Sequence, residues 1–237
     1  MPKVVAPETR RQDVARAVLR IVSRDGLEHA SLRNIAEEAG LAIGSVRHYF
    51  DNQADVLIFA MEELQRRIDT RIRAHADKLL DRDAGIDRRA VTEALLTELL
   101  PLDETRREET VLWLTFTFAA RTRPEFRPGA ALMQDAARRL VSRVLDEARL
   151  AGALPAGIDT ALEAGRLAAL LDGLALGMVL HPGGIEPPTA LRILRRHLRD
   201  LTGGGAGTGG AADGDPTPGA PTPGDLLRDG LALGGRD

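Results

Sequence analysis

Apolar residues recur along this chain at spacings of three and four, the period of an α-helix with one buried face. Val14, Ala17, Val18, Ile21 and Val22 share such a face and predict a first helix over about Arg10–Arg24, stopped by Asp25-Gly26. Ser31 has the side chain of an N-cap, and Leu32, Ile35, Ala36 and Ala39 form the inner face of a short helix ending at Gly40. A third short helix is expected near Ala42–Tyr49. After Asp51-Asn52 a long one follows over about Ala54–Leu80, with Val56, Leu57, Ala60, Met61, Leu64 and Ile68 inward. Further helices are expected near Arg88–Leu100, Asp103–Arg121, Gly129–Ala151, Thr160–Leu180 and Pro188–Leu201, separated by Pro and Gly clusters. No segment alternates with period two. The predicted fold class is all-α: a three-helix N-terminal unit followed by about six helices.

Beyond residue 202 the pattern stops. Sixteen of residues 203–237 are Gly or Pro, too many for the segment to bury the apolar surface that would offset ordering its backbone. The expected organisation is therefore 1–53, 54–202 and a disordered tail over 203–237. Leu226, Leu227, Leu231 and Leu233 are the one part of that tail able to dock. Absence of cysteine excludes disulfides, thiol nucleophiles and Cys-held metals. No apolar run approaches the roughly 20 residues of a membrane helix, and the first residues lack the apolar core of a signal peptide, so a cytoplasmic protein is expected. The five histidines, 29, 48, 75, 181 and 197, show no metal-ligand spacing, and no phosphate-binding or zinc-protease motif occurs. Neither catalysis nor a cofactor is expected. Net charge is −3 overall. Residues 1–50 hold eight basic and six acidic side chains, a local +2, and a nucleic acid responds to the local face.

Chemistry concentrates at residues 30–50, ASLRNIAEEAGLAIGSVRHYF. Two short helices must cross closely if the second is to enter a major groove. Ala36 is small where they approach, and Gly40 permits a left-handed turn between them. With Leu32, Ile35, Val46 and Phe50 inward, Ser45, Arg47, His48 and Tyr49 are left outside, where they can hydrogen-bond base edges and phosphates. The other reading, a helical hairpin with a solvated polar face, does not explain why these groups crowd a helix this short.

The stretch Ser-x-x-x-Ile-Ala-x-x-Ala-Gly from Ser31, Gly-x-x-x-Gly-x-Val from Gly40 and His-Tyr-Phe at 48–50 resembles the DNA-binding domain of the tetracycline-repressor (TetR) family. Trp113-Leu-Thr-Phe116 and Leu171-Asp-Gly-Leu174 are similar to the branch that includes the betaine-pathway regulator. The resemblance implies a homodimeric regulator whose two recognition helices enter successive major grooves of a near-palindromic double-stranded operator, and which a small-molecule effector releases. It implies phosphate contacts for Ser31 and Arg33, base or phosphate contacts for Ser45, Arg47 and His48, and a backbone contact for Tyr49. The family pattern departs at Ala42, where Ser or Thr often caps the recognition helix, at Arg47, where Tyr is frequent, and at Gln53, where a phosphate-binding Lys is usual. Gln53 is kept among the DNA-facing positions. An activator, or a ligand-independent architectural or cell-division protein on this fold, are the alternatives to a repressor.

Two features of the later helices suggest further roles. Ala161, Gly165, Ala169, Gly173 and Gly177 form a small-residue row at spacing four, and Leu132, Ala136, Leu140, Val144 and Ala148 form a second row. Together these fit a four-helix dimer interface, with Leu140 and Val144 among its members; packing within one chain is the other explanation for the small row. Trp113, Phe116 and Phe118 either line an apolar effector pocket or form plain core. Asp172, inside a mostly apolar run, needs a partner: an arginine or backbone of the same domain, or a cationic ligand.

Overall fold

The computed structural model describes residues 7–80 and 85–203, with nothing described for the side chain of Leu80. The expected tail and the leucines at 226–233 lie outside the described residues. Among those described there are nine α-helices and no strand: α1 (Pro7–Asp25), α2 (Leu32–Glu38), α3 (Ile43–Tyr49), α4 (Gln53–Leu80), α5 (Arg88–Thr97), α6 (Glu104–Ala119), α7 (Arg127–Leu150), α8 (Thr160–Leu180) and α9 (Pro187–Leu201). Short 3-10 turns at Leu27–His29 and Pro124–Phe126 precede α2 and α7.

Local chemistry accounts for most of these boundaries. The Asn34 amide donates to Ser31 Oγ at 3.2 Å and starts α2, a cap worth about 1 kcal/mol. Its end is a Schellman turn: Gly40 has φ +66°, its N–H donates to Glu37 O at 3.0 Å, and the Leu41 N–H donates to Ala36 O at 2.9 Å. Asp87, Asp103 and Asp159 cap α5, α6 and α8. Several expected boundaries shift, α1 beginning at Pro7 rather than Arg10 and α6 ending at Ala119 rather than Arg121 among them, and two of the shifts have a local reason. α5 stops at Thr97 rather than Leu100, consistent with Pro101 disfavouring helical backbone in the residue before it. α7 begins at Arg127 rather than Gly129, because Pro128 lies in its first turn, where a missing N–H costs nothing.

Two buried clusters organise the described residues. The first joins α1, α2, α3 and the N-terminal half of α4, through Val18, Ile35, Val46, Phe50 and Leu57, to Leu112 and Phe116 of α6, to Phe126 and to Met133. The apolar cluster thus continues past residue 53. The second joins α5, α7, α8 and α9 through Leu95, Val141, Leu145, Leu167, Leu171 and Leu194. α4 serves both: Val56 to Leu64 belong to the first, and Ala76 and Leu79 pack on the second. No described helix is long and apolar enough to cross a membrane.

Candidate nucleic-acid interface

The inner residues of the α2–α3 pair are closed off from water. Ile35 and Val46 are fully buried and Phe50 is nearly so. Burying these three at helical spacing turns Ile43, Gly44, Arg47 and His48 outward as one face of α3, all exposed. Neither Arg47 nor Arg33, which is also exposed, has an ion-pair partner among the described residues. Arg20 and Arg24 on α1 differ. Arg20 Nε reaches Glu38 Oε1 at 2.6 Å, and Arg24 Nη2 reaches Glu38 Oε2 at 3.2 Å and Asp25 Oδ2 at 2.8 Å. These contacts hold the Glu38 carboxyl below its ordinary range, Arg20 contributing most. Among the described residues of α1, α2 and α3, the exposed cations without an ion pair are therefore Arg33 and Arg47.

Other sequence-derived positions are placed as follows. Ser45 and Ser31 are half-buried, Ser31 as the α2 cap. Tyr49 is half-buried against the first cluster, its ring edge-on to His48 with centroids 5.0 Å apart. Gln53 Nε2 donates to Ala30 O at 2.7 Å, so this amide joins the start of α4 to the turn before α2 where a lysine would extend outward. Ala42 begins α3 with extended backbone and no side-chain cap. Three residues were assigned no role by the sequence reading. Ile43 and Gly44 belong to the exposed α3 face; helical phase was the only signal for Ile43, while Gly44 stood in the Gly-x-x-x-Gly-x-Val motif without a role of its own. Arg11 of α1 stacks over Phe59 at 4.4 Å and Phe50 at 5.1 Å, tying α1, α3 and α4 together at one point.

In the remaining helices Phe116 is fully buried against Phe126, while Trp113 is half-buried on the same cluster. Phe118, two residues on, points outward at 53% exposure. Asp172 faces α7, where Gln134 hydrogen-bonds it and Arg138 lies near. Burial still pushes its carboxyl above the ordinary range. Two surface clefts, of about 490 and 450 Å³, lie elsewhere: one along α7, past Arg138, Ser142 and Asp146, the other between α1 and α2, past Arg24, His29 and Glu38. Among the described residues no group of three or more acidic or histidine side chains could hold a metal ion.

Of the small row on α8, Ala161, Gly165, Ala169 and Gly173 are exposed. Gly177 is partly covered, and a Cβ there would meet Ile185 Cδ1 at 3.2 Å. Leu162, Leu176 and Leu180 are exposed nearby. Leu140 and Val144 are half-buried on the second cluster. A charged network invisible in the sequence ties α4 to α5 and α6. Arg71 pairs with Glu109 through both terminal nitrogens and with Glu98 Oε2 at 2.8 Å, and His75 Nε2 lies 3.3 Å from Glu98 Oε1. Glu109 is buried, and its pairing raises the Arg71 pKa further above the ordinary arginine value.

A short helix pair offering Arg33 and Arg47, without ion pairs among the described residues, beside His48 has the chemistry to meet the edge of a duplex. Residues 88–203 match the family model of the BetI-type transcriptional repressor C-terminal domain. HTH-type transcriptional regulator PksA of Bacillus subtilis is 35% identical over 201 residues, 85% of this chain and 94% of PksA. The chain belongs to the TetR family of transcriptional regulators. HTH-type transcriptional regulator BetI of Vibrio parahaemolyticus is 29% identical over 198 residues, 84% of this chain and 94% of BetI. The crystal structure of a transcriptional regulator from Rhodococcus sp. superposes with a TM-score of 0.67 at 27% identity, covering 82% of this chain and 96% of that one. This TetR-family member is a DNA-binding transcriptional regulator and not an enzyme.

Proposed function

We propose that this regulator is a repressor that binds a near-palindromic operator as a homodimer and leaves it when a small molecule binds. The observation that carries the DNA contact is the α3 face, where Arg47 and His48 are exposed and Arg47 has no ion-pair partner among the described residues. Ser45 and Arg33 flank that face, and Ser31 and Tyr49 sit where phosphates would pass. Gln53 retains its carbonyl oxygen and, through Ala30, positions the turn between α1 and α2. Residues 1–53 form the reading head and 54–202 the dimerising and effector-binding part. Sharing a compartment with DNA places the protein in the cytoplasm.

The proposed dimer surface is the outer stripe of α8: Ala161, Gly165, Ala169 and Gly173, with exposed Leu162, Leu176 and Leu180 beside it. Gly165 and Gly173 have nothing within 4 Å of where a Cβ would stand, so nothing among the described residues explains two residues that each cost a helix about 1 kcal/mol. A second helix approaching closely does. Leu140 and Val144 support this surface from behind, and Gly177 marks its end.

Effector release is proposed to work through α4. Trp113 and Phe116 pack in the same cluster as Val56, Leu57, Met61 and Leu64, so a ligand wedged beside Trp113 would displace the helix that carries the head. Phe118, exposed on the same helix as Trp113, and Asp172, facing Gln134 of α7, are kept as further candidate effector contacts. Two heads set about 34–36 Å apart fit successive grooves, and a tilt of α4 breaks that spacing. The deciding experiment recovers bound DNA genome-wide and footprints it, then titrates small molecules of the adjacent genes' pathway with and without operator. Linkage requires operator and effector to weaken each other equally. Equal effector affinity in both titrations overturns the release mechanism, and a footprint without two related half-sites overturns the dimer.

A further inference from the structure

Two residues on the outer face of α3 are poorly suited to a helix that meets only water. Ile43 is a large apolar side chain left 39% exposed. Beside it, Gly44 lies within the helix with no left-handed backbone to justify it, and a Cβ built there meets nothing within 4 Å. After proline, glycine is the least favourable residue in a helix. α3 is only seven residues long and lacks a side-chain N-cap, so it has little stability to spare. Nothing among the described residues requires either residue.

Their positions indicate what does. Ile43 and Gly44 precede Arg47 and His48 by one turn each, so all four share one face. Whatever lies against Arg47 and His48 also lies against Ile43 and Gly44. On the reading of α3 as the recognition helix, that surface is the floor of a major groove. The one apolar group displayed there is the 5-methyl of thymine. We infer that Ile43 packs on the 5-methyl group of a thymine in each operator half-site, and that Gly44 is kept without a side chain so that α3 can come close enough for the contact. The pair then selects sequence by shape and apolarity, while Arg47 and His48 supply the polar contacts.

The test uses the full-length regulator and an operator selected from random duplex DNA by the wild-type protein, with affinities measured at one fixed salt concentration. Replacing each thymine in turn by deoxyuridine removes only the methyl group. One thymine per half-site is expected to respond, with affinity falling about fourfold for one replacement and about sixteenfold for both, the worth of one buried methyl each. Ile43→Ala is expected to be indifferent to the same replacement. Gly44→Ala is expected to weaken binding tenfold or more while raising Tm by a few degrees, because alanine favours the free helix. Wild type that is blind to deoxyuridine everywhere, Ile43→Ala that remains as sensitive as wild type, or Gly44→Ala that binds normally each overturns the inference alone. Failure of the wild type to select any DNA, or selection unaffected by Arg47→Ala, overturns the underlying assignment of α3.

Discussion

α3 and α8 both present helical glycines to empty space, and they differ in what surrounds those glycines. Around Gly44 stand Arg47 and His48. Around Gly165 and Gly173 stand Ala161, Ala169, Leu162 and Leu176, and the nearby Arg166 is already bound to Glu163 at 2.7 Å. Gly129 and Gly177 provide the contrast, because their space is filled from within, by Met61 Cε at 2.9 Å and Ile185 Cδ1 at 3.2 Å. On the proposed reading, both sets of glycines leave room for something outside the chain, and their neighbours distinguish the two visitors: polyanionic DNA beside Arg47 and His48, a second protein surface along the small apolar stripe of α8.

The largest expected effect tests the α3 side. Arg47→Ala with His48→Ala removes a polar contact of about 1–3 kcal/mol per residue in each half-site, so operator affinity falls a thousandfold or more. The sedimentation coefficient of the dimer stays unchanged. Intact footprints from this variant would break the comparison at its first half. Ala169→Arg tests the α8 side by placing a charge in the proposed interface. Monomers in sedimentation are expected, with operator affinity down at least about a hundredfold as two-headed binding is lost. A variant that remains dimeric would remove α8 from the interface.

Arg71→Ala probes the joint between the two regions. It leaves Glu109 buried without its partner and should cost about 2 kcal/mol of folding stability, whereas Arg20→Ala, at an exposed pair, costs under about 1 kcal/mol. Equal denaturation midpoints for the two variants would show that the α4–α6 network carries no load. The smallest effects are pH-dependent and opposite in sign. Arg66 holds the Glu63 carboxyl below its ordinary range, so its contribution is present near neutrality and lost as pH falls through the lowered pKa. Glu63→Gln should therefore lower Tm near pH 7 and matter less in acid. Burial holds the Asp172 carboxyl above its ordinary range, so its ionisation opposes folding at neutral pH and ceases to do so as acid protonates it. Asp172→Asn should raise Tm near pH 7, with the gain fading toward pH 4. A loss instead would show that the ionised carboxylate has a partner across the dimer.

The sequence by itself determined whatever depends on neighbours within a turn or two. The Ser31 cap, the Gly40 turn and the phase that buries Ile35 and Val46 while exposing Arg47 and His48 follow from spacing alone, because capping and helical periodicity are local. The tertiary structure decided which surfaces remain open. It covered Gly177 with Ile185 but left Gly165 and Gly173 bare, and it buried Phe116 while turning Phe118 out. It also used the Gln53 amide internally and brought Arg71 to Glu98 and Glu109, 27 and 38 residues away. Burial and ion pairing depend on which distant segment arrives, and one chain's pattern of polar and apolar positions does not specify that arrival.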